Sequence, residues 1–173
     1  MKTSRNQREP KPSTCKIMTI EILREIAKKS GPRIAAQDKR IREILEIEEG
    51  ERARVSEETL KRYREYLKAN LELPCLITGV RDFKWEGYYI FGPGSKKEYE
   101  EFKTTQPSYK DHFKILRIFE DRFDGFRGIL VRVRRIPDRR QFDLPLVDLE
   151  AVDKESSNAQ LLEDYSSWFA NNR

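Results

Sequence analysis

The stretch GILVRVRRIPDRRQFDLPLV, residues 128–147, constrains the fold more than any other. Side chains alternate across a strand, so Ile129, Val131 and Val133 share one face while Leu130, Arg132 and Arg134 share the other. That pattern is a half-buried strand. Pro137 pre-sets a turn φ and Asp138 can hydrogen-bond the backbone two residues on, so a hairpin is expected. The return run is Phe142 to Val147. Pro145 has no N–H to give a ladder, which makes this strand an edge or ends it there.

Other segments supply partners for this hairpin. Strands are expected over Cys75 to Val80 and Phe113 to Phe119, the latter with Phe113, Ile115 and, less regularly, Leu116 and Ile118 inward. A helix opens at Ser56, an N-cap followed by Glu57 and Glu58, where the helix dipole favours acids. Leu60, Tyr63, Leu67 and Leu71 form its apolar stripe, and Pro74 bars its continuation. Ser95 and Glu98 form a capping box, opening a short helix expected to bury Tyr99 and Phe102. A second box, Ser157 to Gln160, opens a last helix whose Leu161, Leu162, Tyr165, Trp168 and Phe169 fall on one face. Between these lies DFKWEGYYIFGPG, whose aromatics are expected to pack as core and strand. The class is α+β: a small antiparallel β-sheet or partly open barrel packed by helices, with a helical N-terminal extension.

Charge divides the chain differently. Residues 1–55 hold 14 Lys and Arg against 9 Asp and Glu, and residues 56–173 hold 21 against 21, so the whole formal net charge of +5 lies in the first segment. Residues 1–16 read as a disordered basic leader, since residues 1–13 hold two prolines and almost nothing apolar. Residues 17–55 read as a helical region. In it Ile20, Ile22, Leu23, Ile26 and Ala27 form one helix stopped by Gly31-Pro32, and residues 33–49 form a second stopped by Gly50. Residues 56–173 read as the compact domain.

Several chemistries lack their residues. No apolar run is long enough for a membrane span or a secretory signal. The two cysteines, at positions 15 and 75, are far apart and outside any CxxC, which suits a reducing cytoplasm better than a disulfide framework or zinc module. His112 is the only histidine and accompanies no nucleophile signature, so no enzyme is expected. Cys75 enters an apolar strand and reads as an inert thiol. GPGSKK lacks the ending of a phosphate loop, and no groove-reading or single-strand platform motif points to nucleic acid. Carboxylates remain. Glu120, Asp121 and Asp124 crowd a loop before Gly125; on the residues alone it reads as a solvated acidic turn, with a cation site as the alternative, since calcium takes several oxygen ligands from a flexible loop.

LPCLITGVRDFKWEGYYIFGPGSKKEYEEFKTTQPSYKDHFKILRIFED, followed by GILVRVRRIPDRRQFDLPLVDLEAVDKESSNAQLLEDYSSWF, resembles the small CcbP-type calcium-binding protein family of cyanobacteria over roughly residues 56–172. DFKWEGYY, GPGSKKEYE, QPSY and LPLVDLEAVD carry most of the likeness. The resemblance implies a compact domain that binds calcium through surface carboxylates, with Glu120, Asp121 and Asp124 as side-chain ligands. Asp82, Glu86 and Asp111 are candidates for another surface site. Arg81, Lys110, Lys114, Arg122 and Arg127 stand among these acids where the family carries more negative charge, which lowers the expected affinity. The expected function is non-enzymatic calcium binding, for buffering or signalling in a bacterial cytoplasm. The alternative is a module that keeps this fold without calcium and uses the basic N-terminal helices to contact protein or nucleic acid.

Overall fold

The computed structural model of the protein describes residues 20–48 and 50–173, and all their side chains except those of residues 20–27, 29, 123 and 124. The expected leader lies outside the described residues. The chain divides into two units, Met1–Ala36 and Gln37–Arg173.

One helix, α1, runs from Ile20 to Leu45 and passes through Pro32. The two helices expected on either side of Gly31-Pro32 are therefore a single helix. An interior proline loses a helix hydrogen bond and crowds the carbonyl four residues back, but its further clash with the residue before it is relieved because Gly31 has no Cβ. At its far end Ile41 and Leu45 are buried, so the helix contributes to the core of the second unit.

The sheet has five strands in the order β4-β3-β2-β1-β5, and every pairing is antiparallel. They are β1 (Leu76–Gly79), β2 (Phe113–Asp124), β3 (Gly128–Arg135), β4 (Gln141–Pro145) and β5 (Leu149–Ala151). The α+β class is as the sequence indicates, and the sheet is open. In β3, Ile129, Val131 and Val133 are fully buried, while Arg132 and Arg134 on the opposite face are half-exposed. β4 is an edge, which is why Pro145 can end it without costing a ladder bond. Beyond Pro145, a 3-10 turn over Leu146–Asp148 carries the chain to the opposite edge, where β5 pairs with β1.

Helices α2 (Glu57–Asn70) and α5 (Ser157–Asn171) cover one face of the sheet. Ser56 caps α2 as expected, its hydroxyl accepting from the Thr59 N–H at 3.2 Å. For α5 the cap is Ser156 rather than Ser157. The two helices meet through Tyr63 stacked on Trp168, with ring centroids 4.9 Å apart. The Trp168 indole N–H donates to the Ala53 carbonyl at 2.7 Å, so a buried aromatic anchors the segment before α2.

The DFKWEGYYIFGPG stretch departs from expectation. It forms a one-turn helix, α3 (Gly87–Ile90), with no buried residue, and Phe91 is 80% exposed. Its aromatics instead gather around Trp85 with Tyr99 and Phe102 of α4 (Lys96–Lys103). Phe102 is 46% exposed, and Tyr99 is only half-buried. A short helix at the margin of the sheet has no second layer to cover it, so the expected burial of Phe102 fails. No helix among the described residues is long and apolar enough to cross a membrane.

The expected compact segment, 56–173, lies within the unit Gln37–Arg173, to which residues 37–55 add buried Ile41, Leu45 and Ala53. Arg40 Nε also donates to Asp164 at 2.7 Å, and Gln37 Nε2 donates to the same carboxylate at 2.9 Å. Asp164 is buried, and a buried charge stripped of its partner costs about 3–5 kcal/mol. Removal of residues 1–36 is expected to leave the urea transition cooperative and its midpoint little changed. Removal of residues 1–55 is expected to lower the midpoint sharply, because it uncovers this core and strands Asp164.

Candidate functional site

The expected acidic loop is not a loop. β2 continues to Asp124, which pairs with Gly128 across a three-residue turn, and the register slips between Ile118 and Phe123. From Ile118 to Phe123 is five steps on β2, against two steps from Val131 to Ile129 on β3, so Phe119 to Arg122 bulge out of the ladder. Gly128 has a φ of +68°, and a Cβ there would overlap the Tyr165 hydroxyl. Only glycine serves there, because the position combines a left-handed backbone with direct contact to a buried ring.

The bulge presents Glu120 and Asp121 toward α2. Lys68 Nζ lies 2.7 Å from a Glu120 carboxylate oxygen, and the buried Arg64 guanidinium donates to the Glu120 carbonyl. The Lys68 hydrogen bond and charge hold the Glu120 carboxyl below its usual range, and the same bond raises the Lys68 ammonium. Asp121 is exposed. Glu57, Lys61, Arg64, Glu120, Asp121 and Gly125 line an open depression of about 760 Å³. The side chain of Asp124 lies outside the described residues.

The second candidate set does not form a site. Glu86 is fully buried and accepts four hydrogen bonds: from the Phe83 N–H at 2.9 Å, the Tyr109 N–H at 3.0 Å, the Ser108 hydroxyl at 2.7 Å and the Tyr99 hydroxyl at 2.8 Å. Burial first, and then its bond to Glu86, pushes the Tyr99 phenol up to about 12. Glu86 thus holds the aromatic segment to the loop before β2, and both its oxygens face inward. Asp111 accepts from the Ser108 N–H at 2.9 Å and from Arg135 at 3.0 Å. Asp82, half-buried, lies with a carboxylate oxygen close to Gly87 at the head of α3.

Arg135 is the residue that sequence reading missed. It is 5% exposed and donates to the carbonyls of Lys103, Thr104 and Gln106 and to the carboxylates of Asp111 and Asp138. Alternation along β3 would place it inward with Val133, and the Asp138 of the turn three residues on was the available signal that its charge is met. The Arg135 guanidinium holds the Asp138 carboxyl at about 2. Arg122 and Arg132 both bind Asp143, and the guanidiniums of Arg117, Arg122 and Arg132 lie within 4.8–5.2 Å of the Phe119 ring centroid. Cys75 is buried, and burial raises its thiol pKa, as an inert thiol requires. His112 is exposed.

Calcium needs about six oxygens within one shell. Among the described residues, no three of His, Cys, Asp and Glu come together closely enough to hold a metal ion. The described carboxylates therefore offer no pre-formed cage.

No protein-family model matches the chain, and no curated protein matches it. Two solved structures are similar in fold. The crystal structure of Anabaena CcbP is 19% identical, covering 79% of this chain and 90% of that one, with a TM-score of 0.49. A calcium binding protein in the calcium-binding form is 20% identical, covering 78% of this chain and 90% of that one, with a TM-score of 0.47. The first bears the name of the family that the sequence resembles.

Asp138 offers a pH test of the Arg135 hub. Its carboxyl falls on folding from an ordinary 3.8 to about 2, so its contribution is complete above the unfolded value and lost as pH falls through that window. Stability measured by urea titration is expected to decline between pH 4 and 2, and Asp138→Asn is expected to flatten that decline. Glu86→Gln replaces one acceptor oxygen by a donor amide facing donors. It is expected to cost about 2–4 kcal/mol with no effect on any calcium response.

Proposed function

We propose that the protein binds calcium without catalysing a reaction, at low affinity, at the β2 bulge. Glu120 and Asp121 are the described side-chain ligands, and backbone carbonyls and water complete the shell; Asp124, the third acid that the resemblance implies, is tested with them by Asp124→Asn. What supports the reading is the coincidence of two things: the segment that the family resemblance implies, and an open depression to which Glu57, Glu120 and Asp121 all contribute. With few carboxylates and Lys61, Arg64 and Lys68 beside them, the affinity belongs in the range of about 0.1–1 mM, typical of weak calcium modules. Such an affinity suits buffering of transient calcium loads in the cytoplasm better than sensing at resting concentration.

A second reading has its own observation. Lys68 already supplies a cation to Glu120, so the fold is complete without an ion, and the protein would then be a protein- or nucleic-acid-binding module.

Calorimetric titration of the full chain separates the two. Calcium is expected to bind with a one-site isotherm, Asp121→Asn to weaken it, and Lys68→Met to tighten it by roughly fivefold, because the competing ammonium is gone. Absence of heat up to several millimolar calcium in both the parent and Lys68→Met would rule out the calcium reading.

A further inference from the structure

The other large concavity of the second unit lies away from the β2 bulge and is chemically unlike it. Val80, Phe83, Trp85, Phe126, Leu144 and Val147 give it apolar walls, and its volume is about 1050 Å³, at the upper end of the span of small-molecule sites. The walls are firm on one side: Phe83 and Leu144 are buried, and the Trp85 indole N–H is held by the Pro107 carbonyl at 2.7 Å. On the other side Phe126 is 79% exposed and Val80 is 50% exposed, so the apolar surface continues to the mouth. Contiguous exposed apolar surface in a concavity marks a binding site more often than a scattered residue does.

Its polar groups are few and mostly cationic. Arg81, Lys84, Arg127 and Arg173 line it, against a single carboxylate, Asp148. Neither Arg81 nor Lys84 is in a hydrogen bond or salt bridge among the described residues. The charges of Arg81 and Arg173 reach Asp148 and favour its ionised form, but burial outweighs them and pushes the carboxyl up. Ser166 of α5 also lines the groove, and its buried hydroxyl has no hydrogen-bond partner. A buried donor without an acceptor is costly, which a bound oxygen would relieve.

We propose that this groove binds a small amphipathic monoanion, with its hydrocarbon body against Phe83, Trp85, Phe126 and Leu144 and its carboxylate or sulfonate among Arg81, Lys84 and Arg173. Charge complementarity selects an anion over a neutral or cationic ligand, and the apolar walls select one with a hydrocarbon body. Asp148 then acts against the ligand, as a like charge that limits affinity. The proposal uses none of the residues of the calcium reading, so either can fail alone.

Anilinonaphthalene sulfonate, titrated into the full-length protein at low salt, reads the site by fluorescence. One saturable site is expected, with decanoate displacing the dye at about tenfold lower concentration than decanol. Arg81→Gln with Lys84→Gln is expected to weaken dye binding about fivefold, and Asp148→Asn to strengthen it by a similar factor. Ala170→Trp, at an exposed position on the groove wall, is expected to abolish it with the circular dichroism spectrum unchanged. If that variant is misfolded, Phe126→Ser, which removes an exposed ring, is expected to weaken binding instead. Equal displacement by decanol and decanoate, or dye binding indifferent to Asp148→Asn and to the groove variants, overturns the proposal. So does sedimentation with phosphatidylglycerol vesicles that decanoate does not relieve, since that would make the face a membrane surface.

Discussion

The Tyr165 hydroxyl accepts the Ile129 N–H at 2.7 Å, at the point where Gly128 has no side chain to keep the ring away. This contact ties α5 to the start of β3, and through β3 to the turn that joins it to β2. Burial raises the Tyr165 phenol well above its ordinary range, so it stays a neutral hydrogen-bonding group at any physiological pH. Both concavities depend on it. The turn carries Gly125 toward the β2 bulge on one side and Phe126 toward the apolar groove on the other, while Ser166, the neighbour of Tyr165, lines that groove. A shift of the turn by one residue would change the lining of both at once.

The other organising constraint is charge. With 38% of its residues charged, the chain answers several of its described carboxylates, the deepest among them, from within. Asp164 is met by Arg40, Asp138 and Asp111 by Arg135, Asp143 by Arg122 and Arg132, and Glu120 by Lys68. Glu86 is met by neutral donors alone. A carboxylate buried without partners costs several kcal/mol, so the deep members of this set are fixed by folding itself. They hold loops to strands, and an ion could recruit them only by dismantling those joints.

Local chemistry was the legible part of the sequence. Alternation along β3, the caps at Ser56 and Ser95, the edge position of Pro145 and the last helix's stripe all depend on neighbours within a few residues, and each has its expected place except Leu161, which is only half-buried beside buried Leu162, Tyr165, Trp168 and Phe169. What depends on distant residues was not legible. The passage of α1 through Pro32, the bulge that turns the acidic loop into strand, and the crossing of the chain after Leu146 to the far edge are each set by tertiary packing. The candidate site was legible to the same extent. Its segment could be named because acids and a glycine cluster there, but Lys68 is 52 residues away from Glu120, and no spacing rule connects them. The burial of Glu86 was hidden for the same reason, since Ser108 and Tyr109, which bind it, belong to another loop.

Depth, rather than charge, decides which of these acids can change partners. Lys68 and Glu120 are both exposed, and an exposed ion pair is weak and screened further by salt. An ion proposed at Glu120 would therefore meet an exposed competitor, and would need further oxygens within a shell of about 2.3–2.6 Å. Glu86 is the opposite case. Its four hydrogen bonds lie in a dry interior, and an ion there would have to break them all while leaving the freed donors without acceptors. Of the candidate acids described, Glu120 and Asp121 are the exposed pair, whereas Glu86 is committed to holding the aromatic segment to the loop before β2.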